Sequence, residues 1–400
     1  MKYRNATPSV IWGLISSFVS PVWGFIFNVA LAVSRKRVSH VGLSLSIVIM
    51  YSYLPVMWDA RNNFVRVFYY PEDGLNFYTH FLYILTHNIN MPYILAYSII
   101  SFSTVLIFSK AILGWIVERR DLPYAQYAIC LALFFMCLEY RSISDLQKTT
   151  FAIAIGLLSF DSKFPLRYIL AALSITIHPF ATLMFFAAAI AKVFNSITRS
   201  YFALLMIFAS ILAIVMSPDN LLPIVDSLPS ALGKVVIYLN YENSRFSSEG
   251  ILNFVLFLRY SAFVAVCVFC FAAVSKADLR SHRVKIFTLF IVSLFGVSFS
   301  SNEVFSERIF ILVVVLFAYS CARVRFPRRL FLISSAIIFF NVFLHGAYTI
   351  YVSHQPDFRV VGTEELRTSM STKPLYLPTI FLILHDIFGY SDDLISENMF

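Results

Sequence analysis

Charge is what this sequence has least of. Asp, Glu, Lys and Arg make up only 13% of its 400 residues, where ordinary soluble domains carry about 25%. Hydrophobic residues reach 59%, and 42 of them are phenylalanine, far more than one water-facing core could bury. Apolar runs long enough to cross a bilayer recur along the whole length. These properties exclude an ordinary soluble domain. They predict an all-α polytopic integral membrane protein of about 12 transmembrane helices, some of them short or broken.

Other absences narrow the function. There is no GxxxxGK[ST] loop and hence no signature of an ATP-driven pump, no GxGxxG behind a strand, and no HExxH for a zinc protease. The GxSxG elbow of serine hydrolases is missing too. Cysteine occurs five times. Cys267 and Cys270 form a CxxC, but inside the apolar "AVCVFCFAAV", with no second pair or histidine to complete a zinc site. The cysteines read as small buried hydrophobes, and no cofactor or metal is expected. The net charge of +9 comes without a basic stripe interleaved with exposed aromatics, so no nucleic-acid surface is expected. No internal repeat, low-complexity tract or interdomain linker is evident, and residues 1–400 read as one integral domain.

What is present is a run of candidate spans: 10–33, 41–58, 92–113, 124–140, 149–160, 167–178, 180–194, 201–217, 251–274, 286–300, 308–322 and 330–350. The loops between them divide by charge. Segments 34–40, 114–123, 160–168, 192–200, 275–285 and 321–330 hold seventeen Lys/Arg against four Asp/Glu. The alternate segments 59–90, 139–148, 218–250, 300–308 and 351–400 hold ten against eighteen. Lys and Arg favour the cytoplasmic side, so the second set is expected outside. The two longest outer segments are the periplasmic loop 218–250 and the C-terminal segment 351–400. Segments 75–90, "LNFYTHFLYILTHNIN", and 376–389, "YLPTIFLILHDIFG", are too short to span comfortably and read as helices lying on the outer face.

Two places test this alternation. The Ala-x-Ala at 30–32 imitates a signal-peptide site, but the run before it is too long for an h-region, so 10–33 reads as an uncleaved first span. That parity puts the N-terminus, with Lys2 and Arg4, outside; a hairpin broken at Pro21 would return it inside. The second place is "ITIHPFATLMFF". If 167–194 were one helix, every later loop would change sides and "KADLRSHRVK" would face outward. Proline lacks an amide hydrogen and disfavours helical geometry in the residue before it. Two short helices meeting at His178-Pro179 therefore keep the alternation and set His178 at an outward apex.

Charged residues at or within spans are costly and are functional candidates by default. Those expected toward the outer side are Asp59, Arg61, Arg66, Glu139, Arg141, Asp145, Lys148, His178, Arg245, Arg259, Glu303, Glu307 and Arg308. Singly, each has a plain structural reading: Arg61 and Arg66 as snorkelling side chains, Arg308 as an anchor paired with Glu303 or Glu307. As a group, several guanidiniums with a histidine and a few carboxylates suit a polyanionic ligand. A lipid-linked pyrophosphate is such a ligand.

At these residues the chain resembles the bacterial O-antigen and exopolysaccharide polymerases, the Wzy and EpsG-like families, over roughly residues 50–320. The likeness rests on "LPVMWDARNNF" after the second span, on "RSISDLQKTTFAIAIGLLSF", on "LAALSITIHPFATLMFF", on "ENSRFSS" after the large outer loop and on "FSERIFILVVVLF". Where the pattern has an Arg shortly after Gln147, this chain has Lys148, and Arg141 stands nearby. The resemblance implies a GT-C-like architecture in the bacterial inner membrane with its site facing the periplasm. It implies a metal-independent glycosyltransferase that moves a growing glycan from undecaprenyl pyrophosphate onto the next lipid-linked repeat unit. It also implies a chain-length regulator protein as a partner beside membrane lipid. On this reading Arg141, Arg245 and Arg308 hold the pyrophosphate, assisted by Lys148. His178 serves as base or orients the acceptor, and Asp59, Arg61, Gln147 and Glu307 bind substrate. A flippase for the same lipid-linked sugar, an O-antigen ligase and a membrane O-acetyltransferase are the competing readings.

Overall fold

The computed structural model describes residues 8–34, 37–53, 58–69, 76–118, 122–139, 142–143, 146–193, 261, 276–298, 303–324, 336 and 373–386. Among the described residues every regular element is helical. The chain forms two compact units, one from residues 1–122, 130–181 and 354–400, the other from 123–129 and 182–353. Among the described residues one helix, Tyr93–Glu118, is long and apolar enough to cross a membrane. The other apolar helices have 10–17 residues.

In the first unit the segment expected as a single first span is two helices, α1 (Pro8–Val19) and α2 (Pro21–Val33). Hydropathy is continuous through the break, but Pro21 cannot donate a backbone hydrogen bond and sits well at the start of a helix. Ser20 is extended there and its hydroxyl caps the Trp23 amide. The two helices fold back as an antiparallel hairpin in which Gly24 lies against Ser17 and Gly13 against Asn28. At 12 and 13 residues, each is only about 18–20 Å long. The hairpin brings residue 8 back to the end from which the 34–40 segment departs.

Small residues let the backbones come this close. A Cβ on Gly24 would stand 2.3 Å from Ser17 Cα, and one on Gly42, in α3 (His40–Ser52), 2.7 Å from the Gly13 carbonyl oxygen. Fully buried Asn28 ties the three helices together. Its Nδ2 donates to the carbonyls of Gly13 (2.9 Å) and Gly24 (2.8 Å), and its Oδ1 accepts from the Ser39 amide (3.1 Å). Gly24→Ala meets backbone, not a movable side-chain tip. It is expected to cost about 1–3 kcal/mol, read as a drop of several degrees in the melting point of detergent-purified protein, with an exposed control such as Trp23→Phe unchanged.

The rest of the unit surrounds α6 (Tyr93–Phe108), which continues through a π-helical stretch, Ser109–Gly114, into α7 (Trp115–Glu118). α3 meets α6 through the Ser52 and Ser98 hydroxyls, 2.8 Å apart. α4 (Trp58–Phe68) and α5 (Phe77–Tyr83, prolonged by a π turn to Asn88) pack together. α5 buries Tyr78 and Leu82 and exposes Phe77 and Phe81. A short C-terminal helix, Thr379–Phe381, with its π turn Leu382–Asp386, docks through two bonds. Tyr53 Oη donates to the Leu382 carbonyl (2.7 Å) and Thr379 Oγ1 to that of Ser17 (2.6 Å).

α8 is Tyr124–Met136; its first residues belong to the second unit. α9 (Gln147–Asp161) and α10 (Leu166–Ile177) form an antiparallel pair in which Ser174 Oγ donates to the Ala152 carbonyl at 2.6 Å. α11 (Ala181–Val193) follows. In the second unit, α12 (Lys276–Ser298) packs on α13 (Glu303–Cys321). Gln126 donates to the Cys321 and Val324 carbonyls. The Tyr319 ring carries Arg323 on it at 3.5 Å and Lys285 at 5.1 Å, both measured to its centroid. Cys130, Cys137 and Cys321 are buried free thiols; Cys267 and Cys270 lie outside the described residues.

Candidate functional site

The polar centre of the first unit is Gln147, the first residue of α9, fully buried. A buried amide must fill both its donor and acceptor capacity, and this one does. Its Oε1 accepts from the Tyr78 hydroxyl. Its Nε2 donates to the Tyr97 carbonyl (2.7 Å) and to Ser101 Oγ (2.6 Å). Ser101 in turn donates to the Ile143 carbonyl at 3.3 Å. Tyr93, Tyr97 and Ser101 recur every fourth residue and so share one face of α6.

That face also holds α4. Tyr93 Oη donates to the Ala60 carbonyl at 2.8 Å, and Phe64 meets the Tyr93 ring edge-on at 5.0 Å. Ala60 lies between Asp59 and Arg61, so the Asp-x-Arg helix and Gln147 meet α6 one turn apart, at Tyr93 and Tyr97. The side chains of Asp59 and Arg61 lie outside the described residues.

Lys148 follows Gln147 and is half-buried, its ammonium 6.0 Å from the Tyr78 ring centroid. α9 begins without a side-chain cap, since Leu146 precedes it. A helix N-terminus is a locus of positive potential, and Lys148 adds a full charge there. The α9–α10 register brings in the histidine: with Ser174 against Ala152, one turn further sets His178 level with Lys148. α5 also touches α10. One end of this unit thus gathers an amide, a phenol, an ammonium and an imidazole.

The histidine is built into a tight turn. Its amide closes α10 on the Ser174 carbonyl (3.2 Å), and its own backbone is extended, φ −150° and ψ 121°. Its carbonyl accepts from the Ala181 amide (3.0 Å), which opens α11. The expected break at His178-Pro179 is therefore present, and its cause is the one foreseen. The imidazole Nδ1 accepts from the Phe180 amide at 3.1 Å.

Arg141 and Arg245 lie outside the described residues, as do Asp145 and Arg259. The segment around Arg141 is pinned on either side of it: Tyr51 Oη bonds the Leu138 carbonyl and Thr150 Oγ1 that of Ser142. Arg308 is half-buried in the first turns of α13, in the second unit. Glu307 precedes it on the same helix with its side chain outside the described residues. Sequence reading missed Tyr78, Tyr97 and Ser101. The 93/97/101 spacing was the only signal for Tyr97 and Ser101, and it reads equally as ordinary helix packing; Tyr78 had none. Comparison of the chain with protein-family models, with curated proteins and with solved structures gives no match.

Proposed function

We propose that the chain is a surface-polysaccharide polymerase, a multi-pass GT-C-like glycosyltransferase of about a dozen spans in the bacterial inner membrane. It transfers a growing glycan from undecaprenyl pyrophosphate to the next lipid-linked repeat unit at the periplasmic face. The observation that carries this reading is Lys148 in the first turn of the uncapped α9, beside the buried Tyr78–Gln147 bond, with the α9–α10 register setting His178 level with that end. A cation on a helix N-terminus favours an anion, and an apolar chain suits a ligand whose tail lies in lipid.

In the reaction an acceptor hydroxyl oxygen bonds the anomeric carbon. The bond from that carbon to the pyrophosphate oxygen breaks, and its electron pair leaves with the diphosphate. Negative charge therefore grows on the diphosphate, where positive groups lower the barrier. On the resemblance to the polymerase families, Lys148, Arg141, Arg245 and Arg308 supply them and Asp59, Arg61 and Glu307 position the sugars. Gln147, buried with its bonds filled by Tyr78, Tyr97 and Ser101, holds the start of α9 in place and is not open to a sugar.

A strain lacking the gene tests this. Its surface glycolipid, resolved on a gel, is expected to carry single repeat units with the ladder gone. Complete loss of repeat units points instead to flipping or ligation, and an intact ladder removes the polysaccharide reading.

A further inference from the structure

The contact between His178 and Phe180 says which nitrogen of the imidazole carries the hydrogen. A backbone N–H can only donate, and the Phe180 amide points at His178 Nδ1 at 3.1 Å. Nδ1 must then present its lone pair, and the single hydrogen of the neutral ring sits on Nε2. The turn holds this arrangement. Pro179, between the two residues, has a fixed φ, and the bonds from the His178 amide to Ser174 and from the Ala181 amide to His178 fix both ends. Phe180 is buried and its ring stands edge-on to the imidazole, centroids 6.3 Å apart. Turning the ring over would set a C–H against the Phe180 amide and lose the bond.

We propose that His178 is a neutral hydrogen-bond donor through Nε2 to a phosphate oxygen of the lipid-linked pyrophosphate, and not the base that deprotonates the acceptor. This role rests on the polymerase reading. A base would need its lone pair on Nε2 and its hydrogen on Nδ1, donor against donor with the Phe180 amide. An imidazolium meets the same conflict. Lys148, level with His178 across the α9–α10 pair, already supplies the positive charge. A neutral imidazole adds a directional bond to the same anion without a second cation. The proton balance closes without the histidine. As the bond from the anomeric carbon to the phosphate oxygen breaks, the departing diphosphate receives its electron pair and takes up the proton of the acceptor hydroxyl. His178 keeps its hydrogen throughout.

The test uses full-length protein in nanodiscs with a synthetic lipid-linked repeat unit. Glutamine keeps an N–H donor near the position of the histidine Nε2 but offers no base in the neutral range. His178→Gln is therefore expected to stay within about tenfold of wild-type turnover, with His178→Ala lower by about 100-fold or more. Wild-type kcat/KM is expected to be level between about pH 5.5 and 8, because the pyrophosphate diester keeps its charge there. The idea fails if His178→Gln is as inactive as His178→Ala and the wild-type rate falls about tenfold per pH unit on acidification, as for a base. Should the variants not fold, binding of the lipid-linked repeat unit to wild-type protein across the same range decides. A level affinity supports the donor, and an affinity that follows one titration overturns it. Absence of polymer from the wild-type protein overturns the polymerase reading itself and this role with it, a result unlike either His178 outcome.

Discussion

Lys148→Met is expected to lower polymerisation by about 10²–10³-fold, the cost of removing one charged group from a developing oxyanion. The loss should fall on kcat as well as KM, because charge on the diphosphate grows toward the transition state. Methionine keeps the unbranched stem of this half-buried side chain and removes an ammonium that lies 6.0 Å from the Tyr78 ring centroid. That cation–π contact is worth about 0.5–1 kcal/mol, so the melting point should move by no more than a few degrees. Lys148→Arg keeps the charge on a bulkier, planar head and is expected to recover most of the loss. The measurement is turnover of a lipid-linked repeat unit by the purified variants beside their melting curves. A methionine variant that folds and polymerises at the wild-type rate would detach Lys148 from the chemistry. The helix N-terminus would then have no cation of its own.

How far the sequence could lead depended on what kind of interaction decided each feature. His178-Pro179 was legible because proline acts on its own neighbours: it withdraws one donor and sets the geometry of the residue before it. Pro21 carries the same chemistry, yet the apolar run on both sides of it read as one span. Hydropathy weighs side chains, and what folds α1 onto α2 is the lack of them, at Gly13 and Gly24, with Asn28 satisfying the carbonyls. An asparagine inside an apolar run was the local sign of that hairpin. The pairing of Lys148 with His178 was half legible. Both were candidates, and the short 162–165 turn between α9 and α10 implies an antiparallel pair, but the register that levels them comes from Ser174 and Ala152. The partners of Gln147 were not legible. Tyr78, Tyr97 and Ser101 come from segments 46–69 residues away, and no local pattern names which tyrosine meets which amide.

Gln147 also carries the largest expected effect on stability. Gln147→Leu keeps the volume roughly but removes three buried hydrogen bonds, those with the Tyr78 hydroxyl, the Tyr97 carbonyl and the Ser101 hydroxyl. Each buried hydrogen bond lost costs about 0.5–1.5 kcal/mol, and the three together are a large share of the roughly 5–15 kcal/mol by which a typical domain is stable. Loss of folded protein at growth temperature is the expected result, with the variant recovered only at reduced temperature. Tyr78→Phe alone strands the Gln147 oxygen and should cost about 1–2 kcal/mol. Combined, the two substitutions remove donor and acceptor together, so the double variant should be about 1 kcal/mol more stable than the single costs summed. Thermal midpoints of the four proteins, converted at a common temperature, give that coupling. Simple additivity would mean that Tyr78 and Gln147 do not share a hydrogen bond. The alignment of α5 with the start of α9, which brings the phenol beside Lys148, would then need another cause.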